Sequence, residues 1–395
     1  MTAASTTAPG SSPPPVRSLY VHVPFCAHKC EYCAFFSAPP QGDQINEYVT
    51  ALTRELELVA PQLQPDTVYF GGGTPSLLNL RQWTTIFEAM RRLDLHGAAE
   101  WTVECNPATV SPDKARLFRD YGVNRISLGV QSLDEQLLER LGRVHAREMV
   151  FQSFEVFRKA GFDNVNVDLM FAIPSQTMEI WRRTLDEVLA LQSEHLSCYE
   201  VIYEEDTPLY AQLQAEQFSM DEDRACDMYE ELITRSAEHG FHQYEVANFA
   251  RHLGGGGFRI PDRACRHNVN YWRGGTFYGL GPSASSFVDQ VRTRNHANTT
   301  LYCQELAGGR RAIESRDELP PLARAGEIAG FGLRMTAGWY FDEFQAVTGF
   351  DLREHWTEEM SRLVSLEYAR QDDLGFRLTA RGLRYADWVV ELFLR

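Results

Sequence analysis

Three cysteines crowd into eight residues near the start of the chain, in the run Cys26-Ala-His-Lys-Cys30-Glu-Tyr-Cys33. Thiolates so close together on one loop suit a metal centre. Each can take one corner of a cubane iron–sulfur cluster, leaving the fourth iron open to chelate a small molecule through amino and carboxylate groups. The same three thiols with His22 or His28 equally suit a Cys3His zinc site, and buried structural thiols are a further reading. The loop by itself does not choose between these.

A second feature is the run Phe70-Gly71-Gly72-Gly73-Thr74-Pro75-Ser76. Glycines let the backbone approach a ligand closely, with N–H groups free for a carboxylate, although a tight turn explains such a run as well. Glu104, Gln131, Arg143 and Asp168 follow at intervals. Asp168 interrupts an otherwise apolar stretch, where an acid is costly to bury without a partner. Taken singly, each reads as a cap, an ion pair or a surface charge. At successive strand ends, they read as a polar wall around one ligand.

The elements that must position these residues are legible as a pattern. Short β-rich runs at 18–23, 67–70, 101–105, 125–130, 164–171 and 195–201 alternate with amphipathic helical patterns at 43–60, 111–121, 147–160, 178–191 and 221–239. Ser111 followed by proline is a helix-start signal, and Gly161 a helix-stop signal. Six strands alternating with helices predict an α/β fold, a partial (β/α)6 TIM-like barrel of parallel strands. In such folds chemistry sits on the loops after the C-terminal strand ends, where the cysteines, the glycines and the polar residues all fall. The expected organisation is a disordered tail over 1–16, the barrel over 17–245, a connecting segment over 246–310 and a smaller α+β C-terminal domain over 311–395. Within the connector, 271–287 reads as strand and turn. Two or three helices and a short hairpin are expected from 323 onward.

The chain has 395 residues, 44% of them hydrophobic, enough for a large core. Its formal net charge of −16 argues against nucleic acid as the main partner. There is no apolar run of about 18 residues, so no integral membrane protein is expected. Cysteines outside the loop are scattered rather than arranged as a disulfide framework, which suits a reduced, cytoplasmic protein.

Cys-x3-Cys-x2-Cys followed by a Gly-Gly-Gly-Thr-Pro strand end resembles the radical SAM superfamily, named for S-adenosylmethionine (SAM). The finer resemblance is to the oxygen-independent coproporphyrinogen III oxidase-like family. It rests on Leu19–Cys26, Gly71–Ser76, Ser127-Leu128-Gly129-Val130-Gln131-Ser132, Val167-Asp168-Leu169 and the run 244–250, and covers the chain from about residue 18 onward. The resemblance implies a [4Fe–4S] cluster on Cys26, Cys30 and Cys33, with SAM on its open iron. It further implies SAM contacts from Tyr20, Tyr32, Gly72, Gly73, Thr74, Glu104, Gln131, Arg143 and Asp168.

Two features resemble the HemW haem-chaperone branch of that family. True coproporphyrinogen dehydrogenases carry an extra cysteine two residues after the third, where this chain has Phe35. The run His267-Asn268-Val269-Asn270-Tyr271-Trp272 fits the His-Asn-x-x-Tyr-Trp haem motif of that branch. A neutral imidazole from His267 can ligate haem iron, Tyr271 and Trp272 can pack on the porphyrin, and the glycines at 254–257 can let the segment move. Without the resemblance, a locally hydrogen-bonded His267 and a core Trp272 are the simpler reading; Cys265 and His252 are other candidate ligands. There are departures too: Ala34 stands where many relatives have aspartate, and Gly281-Pro-Ser-Ala-Ser-Ser286 stands where relatives commonly have Gly-Pro-Gly-Ala-His-Ser. The resemblance thus implies a haem chaperone with haem-acceptor partners and a conceivable homodimer, its catalytic residues unassigned. The alternative it leaves is a radical SAM enzyme acting on a porphyrinogen.

Overall fold

The computed structural model describes residues 14–395. The tail expected over 1–16 lies outside the described residues except for its last three, and Val16 already belongs to the first strand. Six parallel strands form the centre of a nine-stranded sheet: β1 (Val16–Val23), β2 (Leu63–Gly72), β3 (Glu100–Cys105), β4 (Arg125–Gln131), β5 (Val165–Phe171) and β6 (His195–Glu200). All six lie where the sequence pattern puts them. β2 runs further than expected, so Gly71 and Gly72 are still strand.

The sheet order is β7-β8-β6-β5-β4-β3-β2-β1-β9. β7 (Phe241–Gln243) and β8 (Asn248–Arg251) add antiparallel to β6, and β9 (Tyr278–Leu280) adds parallel to β1. The edges β7 and β9 do not pair, so the barrel is partial. The segment 246–310 is therefore more than a connector, since β8 and β9 are members of the sheet. Strands of three or four residues carry too little alternation to announce themselves. The segment 271–287 also departs from expectation, because it begins inside a helix, Arg266–Trp272.

The sheet sorts its side chains by period two. One face is apolar and buried under helices: Leu19, Val21, Val68, Phe70, Val103, Ile126, Leu128, Val165, Val167 and Leu196 belong to one core. Helix Leu80–Arg92 shows how that face is covered. A reciprocal cap between Asn79 and Gln82 satisfies two backbone donors at its start. Trp83, Ile86, Phe87 and Met90 then point inward at helical spacing, with Trp83 edge-on to Phe70 at 5.1 Å. The opposite, inner face is polar. Ser18, Tyr20 and His22 alternate along β1, Glu100, Thr102 and Glu104 along β3, and Asn166 and Asp168 along β5, with cross-strand hydrogen bonds joining Ser18 with Thr67, Tyr69 with Glu104, Ser127 with Asp168, and Asn166 with Ser127 and His195.

The rest of the chain forms two small sheets. β10 (Ser285–Val288), β11 (Val291–Asn295) and β12 (Ile313–Asp317) form an antiparallel sheet. β13 (Trp339–Tyr340), β14 (Ala369–Gln371) and β15 (Gly375–Leu378) pair in the order β13-β15-β14. The C-terminal region holds six helices rather than two or three, several of only one or two turns. Its own core centres on Trp339, Phe344, Trp356, Phe376 and Phe393, with both indole N–H groups satisfied by backbone carbonyls. Among the described residues no helix is long and apolar enough to cross a membrane.

Glu55, fully buried on helix Gln44–Val59, ties the later chain to the barrel. Its carboxylate accepts from Gly281 N–H at 2.9 Å, Asn295 Nδ2 at 2.9 Å and the Tyr302 hydroxyl at 2.7 Å. Glu55→Ala would strand these three donors and the Arg311 guanidinium, whose Nε lies 3.5 Å from the carboxylate, and should lower stability by about 3–5 kcal/mol in urea unfolding. Thr50→Ala, on the exposed side of the same helix, should change it by less than about 0.5 kcal/mol. Equal effects would contradict the fastening role.

Candidate functional site

The cysteine loop leaves β1 at Val23 and closes on itself, with Cys26 N–H donating to Ala38 O at 3.2 Å and Ala38 N–H to Pro24 O at 3.0 Å. Phe25, buried edge-on against Tyr48 at 5.4 Å, anchors its start. Further along, Glu31 N–H donates to Leu141 O at 3.1 Å and Leu209 N–H to Glu31 O at 2.9 Å. The loop is thereby pinned to the segments that follow β4 and β6. Cys26, Cys30 and Cys33 are half-buried free thiols. His22 is buried, and both its ring nitrogens are engaged, Nδ1 with the Tyr20 hydroxyl at 3.0 Å and Nε2 with Phe36 O at 2.8 Å. In this conformation neither of its ring nitrogens is free to join the three thiols. His28 is exposed.

The end of β2 is laid against this loop. Gly73 N–H donates to Val23 O at 2.8 Å and Thr74 N–H to Phe25 O at 2.7 Å. Gly72 has φ +105°, and a Cβ there would stand 2.5 Å from the His22 ring; a Cβ on Gly73 would stand 2.6 Å from Phe25 O. Only glycine allows the two strand ends this contact. Thr74 Oγ1–H then donates to Cys26 Sγ at 3.5 Å. From the other side Arg143 Nη1 donates to Cys30 Sγ at 3.5 Å, while its Nη2 donates to Gly129 O at 2.7 Å. A three-thiol loop ringed by donors, with no fourth thiol on it, fits the ligand set of a [4Fe–4S] cluster.

The polar wall assembles beside the loop. Glu104 accepts from the Tyr69 hydroxyl at 2.8 Å and from Gly72 N–H at 3.2 Å. Burial, reinforced by the nearby Asp168 charge, pushes its carboxyl up to about 7. Asp168 accepts from Ser127 at 3.0 Å and Asn166 at 2.7 Å, and burial raises it too. Gln131 sits at φ +66°, where the β4–β5 register slips, and its side chain lies with Arg143 over Gly129. Tyr32 packs against the cluster of Leu137, Leu141 and Met170, and Tyr20 lies 6.2 Å from the Tyr69 ring. Beside the loop lies an open surface groove of about 530 Å³ lined by His28, Glu139, Arg143 and His145 among others. Tyr69 and Asn166, which with Ser127 hold the acids, were not singled out in the sequence, and Ser127 entered only as part of a quoted motif. The available signal was the period-two polarity of the strands.

His267 meets this cluster at Tyr20, ring centres 6.4 Å apart, and at Tyr69, whereas Trp272 packs in a separate cluster with Tyr244, Ala264 and Met335. Glu100 caps their helix, accepting from Arg266 and His267 N–H groups, each at 3.0 Å. His267 is 1% exposed, and its Nδ1 pairs with Thr67 Oγ1 at 2.9 Å and its Nε2 with the Tyr271 hydroxyl at 2.8 Å. Burial and the Arg125 charge push it down to about 3. It stacks on Tyr69 at 5.2 Å, the ring whose hydroxyl donates to Glu104. Of its two partners only Tyr271 is local; Thr67 lies on β2, far off in sequence. Trp272 is half-buried, with the Arg334 guanidinium 5.4 Å from its ring centre.

Glu104 gives the wall a pH signature. Its folded value near 7 exceeds the ordinary 4.5, so the folded state keeps a proton that the unfolded chain releases. That contribution is complete below pH 4.5 and is lost as pH rises through 7. In urea unfolding of the ligand-free protein from about pH 5 to about pH 8, wild type should lose up to about 3 kcal/mol relative to Glu104→Gln. Parallel curves would contradict a buried, largely protonated Glu104.

Comparison with known proteins agrees with this geometry. Residues 20–188 match the Radical SAM superfamily. The heme chaperone HemW of Lactococcus lactis is 31% identical over 96% of this chain and 97% of its own length. That of Bacillus subtilis is 31% identical over 96% of this chain and 99% of its own. In structure, the coproporphyrinogen III oxidase HemN of Escherichia coli superposes with a TM-score of 0.82 at 22% identity, covering 97% of this chain and 91% of that one, which shows a shared fold. With a three-cysteine loop, a glycine strand end and relatives matched from end to end, the chain belongs to the HemW family of the radical SAM superfamily.

Proposed function

We propose that this protein is a cytoplasmic haem chaperone. It carries a [4Fe–4S] cluster on Cys26, Cys30 and Cys33 with SAM on the open iron, binds haem and passes it to acceptor proteins. The observation that carries the reading is the end-to-end similarity to relatives named for haem chaperoning. Phe35 supports it: two residues past Cys33, where a dehydrogenase would have a further thiol, stands a phenyl ring that is 68% exposed.

When bound, the cluster and SAM together supply one-electron reductive chemistry. The chain's own residues hold and shield the pair. Tyr20, Tyr32, Gly72, Gly73 and Thr74 contact SAM at the loop and the β2 end, while Glu104, Gln131, Arg143 and Asp168 receive its ribose and amino-acid groups. A sulfonium cation in this wall favours the ionised form of Glu104. In a chaperone these contacts hold a largely unreacted ligand rather than drive turnover.

Haem is assigned to His267, Tyr271 and Trp272. His267 reaches iron only by giving up Thr67 or Tyr271, at about 1 kcal/mol per neutral hydrogen bond. Haem binding is therefore coupled to movement of the helix Arg266–Trp272.

Two measurements test the reading. Anaerobically reconstituted protein given coproporphyrinogen III, SAM and a reductant should form no protoporphyrinogen at catalytic rates; sustained turnover would establish the enzyme instead. Haem titration should give a Soret band that shifts and weakens in His267→Ala. An unchanged band would remove His267 as the iron ligand.

A further inference from the structure

We infer that Arg143 sets the reduction potential of the cluster through Cys30. The inference rests on the cluster assignment above and goes beyond the SAM contact expected of this residue.

Two of the three cysteines carry a side-chain donor, and the two donors differ in kind. Thr74 offers Cys26 a neutral hydroxyl at 3.5 Å. Arg143 offers Cys30 a guanidinium N–H at 3.5 Å. A hydrogen bond from a cation disperses thiolate charge more than one from a hydroxyl, and charge added by reduction is stabilised in proportion. Arg143 is also built into its place. Its Nη2 donates to Gly129 O at 2.7 Å, on the strand end bent by the Gln131 bulge, and its backbone N–H donates to Leu138 O at 2.9 Å. The fork thus spans β4 and the cysteine loop at once, which a lysine ammonium on a flexible stem does not reproduce. Acting through Cys30, Arg143 is a positioning residue for the cluster.

The test is a redox titration of the SAM-free cluster, read by visible absorbance and electron paramagnetic resonance, in wild type, Arg143→Met, Arg143→Lys and Thr74→Val. Arg143→Met should move the midpoint to a clearly more negative potential. Arg143→Lys, which keeps the charge and loses the fork, should move it less, and so should Thr74→Val. A SAM-free midpoint unchanged in Arg143→Met, even with SAM binding weakened, would overturn the inference and leave Arg143 a SAM contact only. A Thr74→Val shift equal to that of Arg143→Met would overturn it as well. Loss of iron and sulfide from both Arg143 variants would also overturn it, since a tuning contact does not decide occupancy. Wild-type protein lacking acid-labile sulfide after reconstitution would instead sink the cluster assignment itself.

Discussion

Two backbone hydrogen bonds hold the site together, from Gly73 N–H to Val23 O and from Thr74 N–H to Phe25 O. They carry the β1–β2 pairing past the end of the ladder and bring the cysteine loop onto the glycine turn. The approach leaves no room for a Cβ at Gly72 or Gly73. From this contact follow the Thr74–Cys26 hydrogen bond and the nearness of Gly72 N–H to Glu104. The glycines therefore make the close packing possible, and their N–H groups are themselves part of it, Gly72 donating to Glu104 and Gly73 to Val23 O.

The sheet inverts the usual arrangement of a barrel, whose interior is filled mainly by branched apolar side chains. Here the helix-facing side is apolar, and the inner side carries a hydrogen-bonded lattice of buried polar groups. Asp168 is held by Asn166, Asn166 by His195, and His195 by Tyr244, whose hydroxyl in turn accepts from Cys265 N–H ahead of the motif helix. On the other side Glu104 is held by Tyr69, against which His267 stacks. The polar wall and the His267 helix thus belong to one polar interior and meet at Tyr69 and Tyr20. Such lattices are stable only when complete, because an unpartnered polar group in a low-dielectric interior is costly. Movement of His267 would be felt at Tyr69, and through it at Glu104.

Much of the fold was legible because parallel β/α units repeat a strong signal. The alternation in β1 to β6 and the 3–4 spacing of helices such as Gln44–Val59 and Met178–Ala190 rest on burial of one face. Ser111 caps its helix and Gly161 stands at φ +87°, as their residue types required. The short pieces were not legible. β7, β8 and β9 are set by tertiary pairing with β6 and β1, not by their own patterns, and the helix Arg266–Trp272 starts where Glu100, far off in sequence, supplies its cap. At the site, the thiols, glycines and wall residues were readable by type and position. Their supports were not, since Tyr69 and Asn166 look like ordinary strand residues until the register shows which acid each one faces. Asp168, taken from sequence as an isolated acid in an apolar strand, is instead one position in an alternating polar row.

The central claim is that Cys26, Cys30 and Cys33 hold a cluster whose open iron takes SAM. The most direct measurement is the Mössbauer spectrum of protein reconstituted anaerobically with enriched iron and sulfide, recorded without and with SAM. The account predicts four irons per chain, one distinct from the other three, with that one signal alone shifting when SAM is added. Bound zinc without acid-labile sulfide, or iron signals indifferent to SAM, would contradict it.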